Sequence, residues 1–143
     1  MWGGLQVAVL CILACAACEL FADGTPNETR VVIDGEAGAL VRIVTSTEFV
    51  AGVNENRVTR VVILSSDTVM TTLPFQRTYG ITENYQFFIE ASRADADVAG
   101  FRMQVYVDKD KEFDEGGKLT PEAPYRFVYQ FNHLFTDAIE VVF

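Results

Sequence analysis

The stretch FRMQVYVD, residues 101–108, alternates strictly between side chains of two kinds. Phe101, Met103, Val105 and Val107 share one face of an extended chain, and the residues between them point to the other face. A period of two is typical of a β-strand with a buried face and a solvated face. The stretch therefore predicts a half-buried strand, and the segments around it repeat the pattern.

Further segments of this kind are separated by short runs rich in Gly, Pro, Asn and Asp. In one of them Tyr85, Phe87 and Ile89 share the face predicted to be core. The turn sequence GEAG at 35–38 predicts an opening hairpin between the first two strands, and the run VVIL at 61–64 predicts a strand covered on both faces. The predicted strands besides 101–108 cover residues 30–34, 40–47, 58–65, 85–92, 125–131 and 138–143, and a further strand segment starts at 73–75 with its proline at the strand entry. We therefore expect an all-β, immunoglobulin-like β-sandwich of about seven to nine antiparallel strands over residues 30–143.

The N-terminal run LQVAVLCILACAAC, residues 5–18, is apolar but too short to cross a bilayer. It resembles the signal peptide of a bacterial lipoprotein, in which the small pair before Cys18 admits the processing enzyme and Cys18 becomes the lipidated first residue. Cys15 is an alternative lipidation site. This interpretation predicts a signal peptide at 1–17 and a flexible tether at 18–29. A plain secretory peptide cut near Ala17 and a retained helical anchor are the other readings of this segment.

Composition narrows the classes of partner. The chain carries 20 acidic and 11 basic side chains, for a net charge of −9. This balance disfavours nucleic acid, because phosphate binding needs clustered Lys and Arg. All three cysteines lie in the N-terminal run, at 11, 15 and 18, so the body is predicted to hold neither disulfides nor thiolate metal sites.

Four short motifs in the body follow one another in a recognisable order: VVIDG at 31–35, LPF at 73–75, VYVD at 105–108 and PY at 124–125. In this order the chain resembles the extracytoplasmic domain of the mycobacterial small membrane proteins (MmpS). The resemblance covers about residues 30–132. It implies an immunoglobulin-like β-sandwich, and it implies a partner, since members of that family assist large transporters that export lipids and siderophores.

The acidic segment DKDKEFDEGG, residues 108–117, is the one constellation in the body suited to site chemistry. Asp108, Asp110, Glu112 and Asp114 offer oxygen ligands at alternating positions, which a hard cation such as Ca²⁺ requires. The segment lacks the Gly and Glu positions of an EF-hand loop. The competing interpretation is a solvated hairpin tip, with Phe113 turned inward and the glycine pair at 116–117 making the turn.

Catalysis has little support in the sequence, because His133 is the only histidine and no nucleophile or phosphate-binding motif is present. We therefore expect a non-enzymatic accessory module of the cell envelope without a cofactor. It would be held on a membrane by its lipid and would bind a transporter, another envelope protein or a lipid-like cargo. By resemblance to enterobacterial lipoproteins, Glu19 rather than Asp after Cys18 is compatible with sorting to the outer membrane of a Gram-negative cell. The alternative is a Ca²⁺-stabilised adhesion or structural module.

Overall fold

The computed structural model describes residues 24–95, 99–135 and 138–143. These residues form ten β-strands and no helix. In chain order the strands are β1 (Glu28–Gly35), β2 (Leu40–Val53), β3 (Thr59–Thr72), β4 (Phe75–Gly80), β5 (Gln86–Arg93), β6 (Ala99–Val107), β7 (Asp110–Leu119), β8 (Tyr125–Gln130), β9 (His133–Phe135) and β10 (Ile139–Val142). The predicted all-β class is confirmed.

The strands form two sheets. A four-stranded sheet has the order β4-β1-β6-β7, and a six-stranded sheet has the order β10-β3-β2-β5-β8-β9. Neighbouring strands are antiparallel except β10, which runs parallel to the start of β3. The β-sandwich architecture is thus as expected. The structure has one strand more than the expected upper number, and it has one parallel pair.

The first core lies between the two sheets. The face of β6 predicted from residues 101–108 is buried there, with exposures between 0% for Met103 and 5% for Phe101. β1 contributes Val31 and Ile33, and β8 contributes Phe127. Because these side chains alternate with polar ones along each strand, burying them removes apolar surface from water while the other face of the four-stranded sheet stays solvated.

The predicted opening hairpin is wrong. β1 pairs with β4 and β6 in the four-stranded sheet, whereas β2 pairs with β3 and β5 in the six-stranded sheet. The turn is where expected, with Gly38 at φ 83° and the amide of Ala39 bonded to the carbonyl of Glu36 at 3.1 Å. It carries the chain from one sheet to the other. A local turn signal fixes where a strand ends but not which strand it pairs with.

A second core lies on the other face of the six-stranded sheet. Phe88 and Val128, which alternate with the first-core residues Phe87 and Phe127, are fully buried there. They pack against side chains from the distal parts of β2 and β3 and from β9 and β10: Phe49, Ala51, Val61, Ile63, Phe135, Ile139 and Val141. The rings of Phe49 and Phe88 meet edge to face, with centroids 6.4 Å apart. The sheet therefore curls over its own outer face.

An irregularity in β2 allows this curl. The register against β3 shifts on both sides of Glu48, and Ser46 stabilises the shift by accepting the Glu48 amide at 2.9 Å and donating to the Ser65 carbonyl at 2.6 Å. Bulges bend a strand and increase its twist. The prediction that residues 61–64 are covered on both faces is wrong, because Val61 is buried but Leu64 is 66% exposed.

Two smaller expectations also change. β1 begins at Glu28, two residues before the predicted domain start at Arg30, and Thr29 is fully buried. Tyr85 is not a core residue: it precedes β5 with φ 52° and is 37% exposed. Its backbone lies in the left-handed region, so the alternation that governs β5 does not extend to its side chain.

Candidate functional site

The predicted lipidation sites, Cys18 and its alternative Cys15, lie outside the described residues. The chain joins the sandwich at Asn27. The carboxylate of Asp108 accepts the amides of Asn27 at 2.9 Å and of Glu28 at 3.1 Å, and the amide of Ile81 bonds to the Asn27 carbonyl at 3.0 Å. We call the end of the sandwich formed by these four residues the N-terminal pole. Its hydrogen bonds fix the point at which any N-terminal anchor connects.

The acidic segment is a strand rather than a loop. β6 and β7 form a tight hairpin whose turn is Asp108 and Lys109, with Asp108 at φ 51°. One interpretation predicted that the glycine pair at 116–117 makes the turn. This is wrong, because both glycines pair with β6. Phe113 is buried, as that interpretation expected, and its ring packs on Phe127 at 5.4 Å.

A bulge in β7 rearranges the carboxylates. Val105 pairs with Phe113 while Tyr106 pairs with Lys111, so Glu112 is an extra residue on β7. In a regular strand, residues three apart point to opposite faces. The bulge brings Lys111 and Asp114 to the same face, where the Lys111 Nζ lies 2.6 Å from the Asp114 carboxylate.

Asp114 is the centre of a charged network on the outer face of the four-stranded sheet. Arg102 donates to both of its oxygens, at 2.7 and 2.9 Å, and Gln104 donates at 3.1 Å. The Arg102 guanidinium, then Lys111 and Gln104, hold the pKa of the Asp114 carboxyl well below its usual range. Asp114 in turn raises the pKa of Arg102. The bidentate geometry makes this the best-defined ion pair on that face.

The structure does not bring the four predicted calcium ligands together. The Asp108 carboxylate binds backbone amides, the Asp114 carboxylate binds three side chains, and Asp110 is exposed at the start of β7. Among residues 24–95, 99–135 and 138–143, no three His, Cys, Asp or Glu side chains are grouped closely enough to hold a metal ion. Calcium binding stays a prediction, and thermal unfolding tests it: a site saturated about a hundredfold above its Kd would add about 2.7 kcal/mol.

Sequence reasoning missed a second charged cluster, which lies on the outer face of the six-stranded sheet. Glu90 lies on the face of β5 opposite to the predicted core face, yet it is only 5% exposed. Arg126 donates to it at 2.7 Å and Arg42 at 3.4 Å, and Arg126 also reaches the carbonyl of Ile139 at 3.4 Å. The cluster joins β2, β5, β8 and β10. The Glu-Arg pairing across strands is the signal available in the sequence, but using it requires the strand order.

A cleft of about 350 Å³ opens at the end of the sandwich away from the N-terminal pole. Glu115, Lys118, Tyr125 and Arg126 line it together with Ala123, Pro124 and Ile139. Its charges are mixed, and Arg126 is already bound to Glu90. His133 does not line this cleft: it lies on β9, exposed and stacked against Phe135 with ring centroids 6.1 Å apart. The cleft therefore lacks the imidazole that general-base chemistry uses most often.

The curled part of the six-stranded sheet presents apolar side chains to solvent. Val50 lies opposite Val62 across β2 and β3, and Val62 lies opposite Val142 across β3 and β10. Val50 is 60% exposed, and Val62 and Val142 are half-buried. We call these three valines the outer valine row. The row thus puts one largely exposed and two partly exposed apolar side chains side by side at the surface, and adjoining apolar side chains are a feature of contact surfaces.

No family model matches the chain, and no curated protein matches it. In the part of the chain that the structure describes, no helix has the length and apolar character needed to cross a membrane. The MmpS resemblance therefore rests on the four short motifs. In the structure VVIDG forms the second half of β1, and LPF lies at the start of β4. VYVD lies at the end of β6, and PY lies at the start of β8.

Proposed function

We propose that this chain is a non-enzymatic binding module of the bacterial cell envelope, anchored by a lipid on Cys18. The observation that carries the proposal is the apolar run at residues 5–18, which ends in small residues and a cysteine. Two acyl chains on one cysteine anchor a protein stably. The proposed location is the outer membrane where the cell has one.

The connection between the anchor and the sandwich is short. Nine residues, Glu19 to Asn27, follow Cys18 before the chain is fixed at the N-terminal pole. Fully extended, they span at most about 30 Å. The lipid would therefore hold the N-terminal pole close to the membrane. The carboxylates of Glu28, Asp108 and Asp110 outnumber the ammonium of Lys109 at this end, so the net charge there is negative and anionic headgroups would repel it.

A binding role is supported by the state of the charged groups. Acid and base chemistry requires carboxylates whose protons are exchangeable at working pH. The Asp114 carboxylate does not meet this requirement, because Arg102, which binds it at 2.7 Å, and then Lys111 and Gln104 hold its pKa well below the usual range. The outer valine row offers a contact surface for the bound component. By the MmpS resemblance, that component is a transporter or a lipid-like cargo.

Mass spectrometry of the mature N-terminus, made with two matched variants, tests the anchor. Cys18→Ser should abolish the acyl mass and move the protein from the membrane fraction to the soluble fraction. Cys15→Ser should leave both unchanged. Loss of the acyl mass in Cys15→Ser alone would move the lipid to Cys15. A wild-type protein without any acyl mass would overturn the proposal.

A further inference from the structure

The charged cluster around Glu90, which lies beside the cleft at the end of the sandwich, contains one more cation than anion. The strand register puts Arg126 of β8 directly opposite Glu90 of β5, and it puts Arg42 of β2 diagonally across from Glu90. The two guanidinium groups lie 2.7 and 3.4 Å, respectively, from the two oxygens of the Glu90 carboxylate. Glu90 can neutralise only one of the two arginines. One positive charge is therefore left over, and Arg126 brings it to the cleft that its side chain lines.

Arg126 is fixed in place and still has donor groups to offer. Its Nε donates to the buried Glu90 carboxylate at 2.7 Å, and its Nη1 donates to the carbonyl of Ile139 at 3.4 Å. In the part of the chain that the structure describes, no group accepts a hydrogen bond from its Nη2, and the side chain is 30% exposed. A guanidinium binds an oxyanion through its planar fork of N–H groups, and one that is already ordered loses little entropy on binding. Arg126 is therefore prepared to bind an anion in the cleft.

Lys118 adds a second cation on the β7 side of the cleft. Its side chain is exposed and forms no ion pair with any residue that the structure describes. Glu115 is the one acidic residue among the described residues that line the cleft, while Glu122 and Glu140 are exposed next to lining residues. Clefts lined by an excess of one charge sign concentrate ions of the opposite sign. In a chain with a net charge of −9, this excess of cations makes the cleft a site that favours anions.

The other lining residues and the size of the cleft define the rest of the ligand. Pro124 and Ile139 supply apolar surface, and the Tyr125 ring is held by its packing on Phe101, with centroids 4.9 Å apart. A volume of about 350 Å³ lies at the lower end of the range for small-molecule sites. A single surplus cation pairs with a monoanion, and Glu115 would repel a dianion more strongly. The ligand that fits this cleft has one carboxylate and a compact apolar body.

We propose that the cleft binds a small organic acid. The carboxylate of the acid bonds to Nη2 of Arg126 and to the ammonium of Lys118, and its apolar part lies against Pro124 and Ile139. Because the site is open and Glu115 opposes the bound charge, a ligand of about nine heavy atoms should bind with a Kd of about 1 mM. This site is distinct from the outer valine row, and it depends on neither the lipid anchor nor a partner protein.

Benzoate and benzamide, which have the same shape but differ in charge, test the site by nitrogen-15 NMR titration. The titrations use the full-length chain with its three N-terminal cysteines replaced by serine, at constant ionic strength. Benzoate should shift the amide resonances of Lys118, Tyr125 and Arg126 with one common Kd of about 1 mM. Benzamide should bind at least about tenfold more weakly, because it lacks the charge. Absence of a saturable shift with benzoate, or comparable binding of the two compounds, would overturn the proposal.

Two pairs of charge variants at exposed positions give the second readout. Lys118→Gln removes an attractive charge and should raise the Kd for benzoate about fivefold, whereas Glu115→Gln removes a repulsive charge and should lower it by a similar factor. Lys109→Gln and Asp110→Asn, next to the N-terminal pole, are the matched controls and should leave the Kd unchanged. The NMR spectrum of each variant shows whether it is folded. Equal Kd values for Lys118→Gln and Lys109→Gln, or a Kd that Glu115→Gln raises, would overturn the proposal.

Discussion

At Gly117 the hydroxyl of Tyr125 occupies the space where a Cβ atom would stand. A Cβ built on Gly117 overlaps the Tyr125 hydroxyl oxygen, while the next ring carbon lies at an ordinary 3.6 Å. Tyr125 cannot swing away freely, because its ring packs on Phe101 with centroids 4.9 Å apart. A glycine on a strand ordinarily weakens it. Here the missing side chain allows β8 to close against the four-stranded sheet.

Gly117→Ala should therefore destabilise the protein by about 1–3 kcal/mol, the usual cost of forcing extra volume into a packed site. The clash is with one oxygen, so Tyr125→Phe should recover most of the loss when it is combined with Gly117→Ala. Urea unfolding of the two single variants and the double variant measures the coupling.

Gly100→Ala is the control, since a Cβ there meets nothing within 4 Å. That change should leave stability unchanged or raise it by up to about 1 kcal/mol. If Gly117→Ala lowered the free energy of unfolding equally in the wild-type and the Tyr125→Phe backgrounds, the clash would not be with the Tyr125 hydroxyl.

Among the elements, β7 depends most on a single irregularity. The bulge at Glu112 turns Phe113 into the core while it keeps Lys111 and Asp114 together on the outer face. Arg102 reaches Asp114 from the neighbouring strand β6. An edge strand rich in charges is thus held by one buried ring and one carboxylate that accepts four hydrogen bonds.

The network predicts how stability depends on pH. The folded-state pKa of Asp114 lies below its unfolded value, so its contribution is present above about pH 4 and is lost as pH falls toward the folded-state pKa. Asp114→Asn should be less stable than wild type at pH 7. The difference between their urea midpoints should shrink steadily below about pH 4.

The exposed carboxylate of Asp110 on the same strand supplies the comparison. Asp110→Asn should lose stability below about pH 4 in the same way as the wild type. If Asp114→Asn and wild type instead differed by the same amount at pH 3 and pH 7, the ion pairs would not stabilise the fold through the charge of Asp114.

The accuracy of the sequence-based predictions also differs from element to element. β6 was predicted with its buried face because its alternation is complete and needs no information from outside the strand. β5 was half predicted: Phe87 and Ile89 are core as expected, but Phe88 and Glu90 are buried too. Their burial depends on β2 and β3 curling over them, and a strand's own period carries no information about what covers its second face.

The candidate site was predicted less well than the fold. Alternating acids at 108–114 suggested converging ligands or a loop, because Asp and Lys are unfavourable in strands. The structure makes this segment a strand, and the bulge breaks the alternation on which the ligand set depended. Whether a strand contains a bulge depends on the pairing of two strands, which neither sequence segment specifies alone.

For the molecule as a whole, β5 belongs to two cores at once. Phe87 packs between the sheets, where its ring meets Tyr79 at 5.1 Å, and Phe88 packs beneath the curled part of the six-stranded sheet. Both rings are fully buried. A sandwich with a single core would leave one of these two neighbours at the surface. The curl therefore creates a second hydrophobic core, and its burial stabilises the fold through the same strand, β5.

Phe87→Ala and Phe88→Ala should accordingly destabilise the protein by similar amounts, about 3–5 kcal/mol each, because each removes a buried aromatic ring. Since one strand joins the cores, each variant should unfold in urea in a single transition, with circular dichroism and tyrosine fluorescence giving the same midpoint. Leu64→Ala, at a 66% exposed position, should stay within about 0.5 kcal/mol of wild type. A Phe88→Ala variant as stable as Leu64→Ala would mean that the curled segment contributes nothing. Two separate transitions would mean that the second core unfolds independently of the sandwich.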